Sequence, residues 1–194
     1  LVAKTFYRHI LRLPMSLPHA LLIALIEKPC SGIELSNQFD RSIGFYWHAT
    51  HQQIYRELAR LETAGWAKSK PIESSRGRKK EYRVTAAGRE ELRRWAGEAC
   101  GIEPVRSELM IRLRAEATLG PSGVEAEIER VLTAHRARLV ILRDLEKLYF
   151  AAPHPSRSTA ITHLILKKGI MNELTWIDWL LQAQCVLGRD DSPA

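Results

Sequence analysis

The chain has 194 residues and a formal net charge of +7, from 29 Lys and Arg against 22 Asp and Glu, with an isoelectric point near 9.5. At ~100–200 residues per domain this is one domain or two small ones, and the basic balance tilts the partner list toward polyanions. Cys30, Cys100 and Cys185 form no C-x-x-C pair, which argues against a disulfide framework or zinc site and fits a cytoplasmic protein; no apolar run nears the ~18 residues of a membrane span.

Residues 1–14 carry Lys4, Arg8 and Arg12 among Phe6, Tyr7, Ile10 and Leu11, with no long apolar stretch behind them. They read as a short amphipathic helix or a partly ordered arm, not a signal peptide. A compact apolar helix follows over 17–27, with Pro18 in its first turn, where a missing N–H costs least. Lys28-Pro29 ends it, because the residue before proline is pushed out of the helical region. Ser31 or Gly32 opens a second helix with Ile33, Leu35 and Phe39 as inward candidates. Residues 42–48 are a connector ending in Phe45, Tyr46 and Trp47, which are expected to pack around the next helix.

That next helix, 50–66 (THQQIYRELARLETAGW), has the most informative pattern in the chain. Thr50 and Gln53 have the spacing of a capping box. Ile54, Leu58 and Leu61 form one apolar stripe, and Gly65 supplies the stop. Gln52, Gln53, Tyr55, Arg56, Arg60 and Thr63 fall away from the stripe. Three helices joined by short turns, the third with a polar outer face, make a helix-turn-helix.

A basic hairpin comes next. The turn signal at 74–78 separates two strands, the second alternating Tyr82 and Val84 with Glu81 and Arg83. The first, 67–72, does not alternate, and Pro71 confines it to an edge. Between residues 68 and 83, seven Lys and Arg face two Glu, a local balance of 7 − 2 = +5. The 50–66 helix is close to neutral, since Glu57 and Glu62 offset Arg56 and Arg60. A helix followed by such a hairpin is a winged helix, with the wing supplying phosphate attraction and the helix supplying shape and base contacts.

Thr85 caps a helix over 86–99 with Leu92, Trp95 and Ala99 inward, and the Gly97, Gly101 and Pro104 cluster marks a domain boundary. The winged helix-turn-helix domain is therefore drawn over 15–100 and a helical dimerisation domain over 101–188. Within the latter, 105–119 places Leu109, Met110 and Leu113 at core spacing. A long helix over 122–150 aligns Val124, Ile128, Leu132, His135, Leu139, Leu142 and Tyr149. After a proline-rich break, a helix over 156–187 carries Ile161, Ile165, Trp176, Trp179 and Leu180 on its apolar side; residues 189–194 read as a frayed tail. At ~1.5 Å per residue the two long helices run ~45 Å, more than a small domain can cover alone. A homodimer is the expected solution, an intramolecular hairpin folded on the first domain the alternative. The fold class is thus mainly α with a small β-hairpin.

These segments resemble the PadR family of bacterial transcriptional regulators. The resemblance runs from Met15 onward and rests most on IYRELARLETAGW and on GRKKEYRVTAAG. It implies a winged helix-turn-helix joined to a C-terminal helical dimerisation domain, usually repressing a nearby promoter in response to diverse small inducers. It places recognition on the helix with Gln52, Gln53, Tyr55 and Arg56 and the wing tip at 76–80. Family chains typically begin near Met15, so 1–14 read as an added upstream stretch.

No enzymatic signature competes. His48 and His51 lack the third and fourth ligands of a metal site, and no phosphate loop, G-x-S-x-G or H-E-x-x-H occurs. No cofactor and no metal are expected. Gln pairs with adenine and Arg with guanine through two hydrogen bonds each, which makes Gln52 and Arg56 the candidates for base contact. Thr50 and Tyr55 are candidates for phosphate, His51 for phosphate or a base edge, and Arg60 for phosphate or an ion pair with Glu57 or Glu62. Arg76, Arg78, Lys79 and Lys80 form the wing's phosphate or minor-groove group. Trp176 and Trp179 could line a cavity for a small aromatic effector or simply pack the dimer core. The expected partners are double-stranded DNA and a second copy of the chain. The competing reading is a winged-helix protein-interaction module without an operator.

Overall fold

The computed structural model describes residues 17–41, 49–72, 79–101, 106–152 and 156–188. The expectations for segment 1–14, the aromatic connector 42–48, the wing tip with Arg76 and Arg78, the break at 153–155 and the tail from 189 lie outside these residues. Two compact units divide the chain, Leu1–Pro104 and Val105–Ala194.

In the first unit, α1 (Leu17–Glu27), α2 (Gly32–Arg41) and α3 (His51–Thr63) enclose the core. Leu21, Leu22, Leu25, Leu35, Phe39, Ile54, Leu58 and Leu61 are essentially without solvent contact. Each such side chain contributes about 1.5–3 kcal/mol relative to exposure. Ile33, expected inward, is 47% exposed, because it sits in the first turn of α2 beyond the edge of this core.

The predicted hairpin is β2 (Ala67–Pro71) and β3 (Lys80–Val84), paired antiparallel from Ala67 with Val84 to Pro71 with Lys80. It is part of a larger sheet than expected. A two-residue strand, β1 (Cys30–Ser31), pairs with Tyr82 and Glu81, giving the order β1-β3-β2. Two residues are too few to show a period, so β1 is invisible to pattern reading. Pro71 stands on the edge strand, where its missing donor costs no ladder bond.

Helix α4 (Ala86–Ala96) is tied back to the turn after α3. Thr85 Oγ1 accepts from the Gly88 amide at 3.1 Å and donates to the Gly65 carbonyl at 2.6 Å. Gly88 lies so close to this turn that a Cβ there would stand 2.1 Å from the Trp66 carbonyl oxygen. Gly97 caps the helix, so Ala99, expected inward, falls past its end and is exposed. His19 of α1 is buried, stacks on Trp95 at 4.3 Å and sets its Nε2 3.3 Å from Glu91 Oε1, joining α1 to α4.

In the second unit, α5 (Glu108–Leu119) packs on α6 (Val124–Phe150), and α6 pairs with α7 (Arg157–Leu187). The contacts His163–Glu146 at 2.9 Å and His135–Glu173 at 2.5 Å run in opposite directions along the two helices, so the pair is an antiparallel hairpin. Ile128, Leu132 and Leu180 are buried at its centre. Met110, placed at core spacing by the sequence, is 43% exposed, and Tyr149, Ile161 and Ile165 of the long helices' apolar stripes are 67%, 48% and 48% exposed. The hairpin buries one face of each long helix; Tyr149, Ile161 and Ile165 project from the remainder.

Candidate nucleic-acid interface

Helix α3 is fixed at both ends by its own sequence. Thr50 Oγ1 accepts from the Gln53 amide at 3.2 Å, and Gln53 Oε1 accepts from the Thr50 amide at 2.8 Å, closing the capping box. At the other end the Gly65 amide donates to the Glu62 carbonyl and the Trp66 amide to the Leu61 carbonyl. Gly65 sits at φ 71, the left-handed geometry this Schellman closure requires. Ile54, Leu58 and Leu61 anchor the inner face.

At 100° per residue, the stripe opposite these anchors is Gln52, Arg56, Ala59 and Thr63. All four are exposed. His51 is exposed in the first turn, and Gln53 is half-buried by its role in the cap. Tyr55, 47% exposed, flanks the stripe on one side and Arg60 on the other. Arg60 donates from Nη1 to Glu57 Oε1 at 2.8 Å, and Glu57 is buried, so the ion pair between residues 57 and 60 left open by the sequence is formed.

On the Tyr55 side lies a notch of about 400 Å³, lined by Ser31, Gly32, Ile33, Tyr55, Lys79, Lys80 and Tyr82. It lies between α3 and the base of the hairpin. Lys79 and Lys80 are exposed, and the hairpin arms close beside them through the Ile72 amide to the Lys79 carbonyl at 3.0 Å. Glu34 accepts from the Ser31 amide at 2.9 Å and the Ser31 hydroxyl at 2.7 Å. These bonds hold its carboxyl below the usual carboxylate range, and burial pushes the Tyr82 phenol up. The Ser31-x-x-Glu34 spacing is a second capping signature, legible in the sequence but passed over there. Gly32 reads there only as a helix start, Tyr82 as a strand residue and Glu57 as a partner for Arg60; nothing in a local pattern brings Gly32 and Tyr82 to one notch with Tyr55.

Trp176 and Trp179 belong to the second unit. There they form a T-shaped pair at 5.3 Å, and Trp176 stacks on His135 at 5.2 Å. Both pack on the cluster around Ile128 and Leu180. Among the described residues no three His, Cys, Asp or Glu side chains are placed to hold a metal ion, and no helix is long and apolar enough to cross a membrane.

A helix-turn-helix followed by a hairpin wing defines the winged-helix class. Residues 21–94 match the model of the PadR-like transcriptional regulator family, and residues 105–187 match the model described as the virulence activator alpha C-terminal region. The chain is 34% identical over 180 residues to the probable transcriptional regulator Rv1176c of Mycobacterium tuberculosis, covering 86% of this chain and 94% of that one. It is 28% identical to the negative transcriptional regulator PadR of Bacillus subtilis, covering 90% and 98%. The structure of that PadR with operator DNA superposes at a TM-score of 0.75 and 25% identity over 89% of this chain and 99% of the other. Its structure with p-coumaric acid superposes at 0.72 and 25% identity over 90% and 100%. This chain belongs to the PadR-like family of transcriptional regulators.

Proposed function

We propose that the protein is a homodimeric repressor that binds a pseudo-palindromic operator and is released by a small aromatic effector. The observation that carries DNA binding is the exposed Gln52–Arg56 stripe of α3, beside a hairpin holding most of the chain's net positive charge. Gln52 and Arg56 reach base edges, each worth ~1–3 kcal/mol of discrimination when its two bonds form. Tyr55 and the Thr50 hydroxyl donate to phosphate, and His51 adds a contact at the helix start. Gln53 keeps its amide N–H groups for phosphate while its oxygen serves the cap. Arg60 spends one N–H on Glu57 and turns others to the backbone. Arg76, Arg78, Lys79 and Lys80 follow the phosphates with the wing.

The second unit joins two copies through the apolar residues that α6 and α7 leave exposed, which sets the half-sites about one helical turn or a multiple apart. The repressor sense follows the name of the Bacillus relative. An aromatic acid is the effector class to test, since that relative is solved with p-coumaric acid. Trp176 and Trp179 report it: saturable quenching on titration is expected, and its absence removes the effector from the account.

The decisive test is a gel shift with DNA from upstream of the protein's own gene, at rising salt. Two protomers per duplex and affinity falling steeply with salt are expected. No shift at low salt, with retention of partner proteins instead, would favour a winged-helix interaction module.

A further inference from the structure

Residue 32 has room for no side chain at all. A Cβ there would stand 2.5 Å from Tyr55 Cε1, 3.0 Å from Cζ and 3.3 Å from Cδ1, and these ring atoms are its three nearest neighbours. The backbone does not require glycine, because Gly32 lies in α2 and is not among the glycines of positive φ. The core does not require the contact either, because Tyr55 is 47% exposed. What the missing side chain permits is the seating of one exposed ring, 23 positions away in sequence, at the wall of the notch that also contains Lys79 and Lys80.

We propose that Gly32 is a positioning residue for DNA binding, whose lack of a side chain lets Tyr55 lie against the first turn of α2 at the edge of the DNA-facing surface. The inference rests on the reading of Tyr55 as a phosphate contact. An exposed tyrosine that must be ordered on binding loses affinity to that ordering, and a ring already seated loses less. Any Cβ at residue 32 displaces the far end of the Tyr55 side chain and not a backbone, so the ring yields and the helix stays. Alanine is also the better helix former of the two, so the fold itself has no reason to suffer.

The full-length protein is compared with Gly32→Ala, Tyr55→Ala and the double variant, using a labelled duplex of the DNA upstream of its own gene. Gly32→Ala and Tyr55→Ala should each weaken binding about tenfold, the effect of one hydrogen bond to a charged group. The double variant should bind no more weakly than Tyr55→Ala, since the two changes remove the same contact. The slope of log affinity against log salt should stay that of the wild type in both single variants, because a hydroxyl contact neutralises no phosphate charge. Gly32→Ala should melt no earlier than the wild type.

Wild-type affinity in Gly32→Ala, with Tyr55→Ala weakened, overturns the proposal. So do losses that multiply in the double variant. Wild-type affinity in Tyr55→Ala overturns the reading beneath it and the inference together, a separate and recognisable result. If Gly32→Ala melts early, the double variant decides: recovered melting supports the ring contact as the reason for glycine, and unrecovered melting overturns it.

Discussion

Glu57 and Glu91 are two carboxylates of the first unit that are largely shielded from water, and they do different work. Glu57 restrains Arg60 on the flank of α3. Glu91 holds α1 and α4 together: Arg94 donates to both its oxygens at 2.7 Å, and His19 lies 3.3 Å from one of them. The Arg94 hydrogen bonds, then those of His19, pull the Glu91 carboxyl from 4.5 down to about 2. A folded-state value below the unfolded one stabilises fully above the unfolded value and is lost as pH falls toward the folded one. Glu91→Gln should therefore cost about 1–2 kcal/mol at pH 7, a modest figure because Arg94 is well exposed and its charge is screened. In denaturant titrations the gap between wild type and variant should close between pH 4.5 and pH 2. A gap unchanged at the acid end would assign Glu91 a packing role instead.

In the proposed complex the elements divide the labour of binding. Helix α3 is capped at both ends and nearly neutral, so its proposed part is shape and discrimination and not attraction. The proposed part of the wing is the reverse. Arg78, Lys79 and Lys80 changed together to Ala should weaken binding on every sequence and reduce the slope of log affinity against log salt by about 0.9 per lost phosphate contact. An unchanged slope would remove the wing from the interface. This division is legible in the sequence because caps and charge are local: Thr50, Gln53 and Gly65 announce the helix ends, and the lysines and arginines of 68–83 can be counted. What is not legible is non-local or too short. Strand β1 exists only because Cys30 and Ser31 meet Tyr82 and Glu81. Gly32 reads as an ordinary helix start until Tyr55 is found against it. A hydrophobic period also fails to separate an apolar face buried within the chain from one left for another surface, so it does not tell which stripe residues, Ile161 and Ile165 among them, lie outside the hairpin's own core.

At the scale of the molecule, the proposed roles are a reading head in the first unit and a spacer in the second. In the second unit, His163–Glu146 and His135–Glu173 bind α6 to α7, and the His163 and Arg143 hydrogen bonds hold Glu146 below the usual carboxylate range. That hydrogen bonding spends polar groups inside the hairpin, while Ile161, Leu164, Ile165 and Met171 stay exposed along one side of α7. If the proposed dimer forms on this side, Leu164→Glu with Met171→Glu should give monomer in light scattering without unfolding the hairpin, and should cost operator affinity more than tenfold by removing the second half-site. A dimer that survives both charges would place the interface elsewhere.

The central claim is that α3 discriminates and the wing attracts. Selection of binding sites from random duplex DNA tests it most directly, with wild type, the Gln52→Ala and Arg56→Ala variants, and the wing triple variant run in parallel. The account predicts an inverted repeat for the wild type, the same repeat for the wing variant at lower yield, and loss of preference at particular base pairs for the α3 variants. An unaltered motif from the Gln52 and Arg56 variants, or no enriched motif from the wild type, would contradict it.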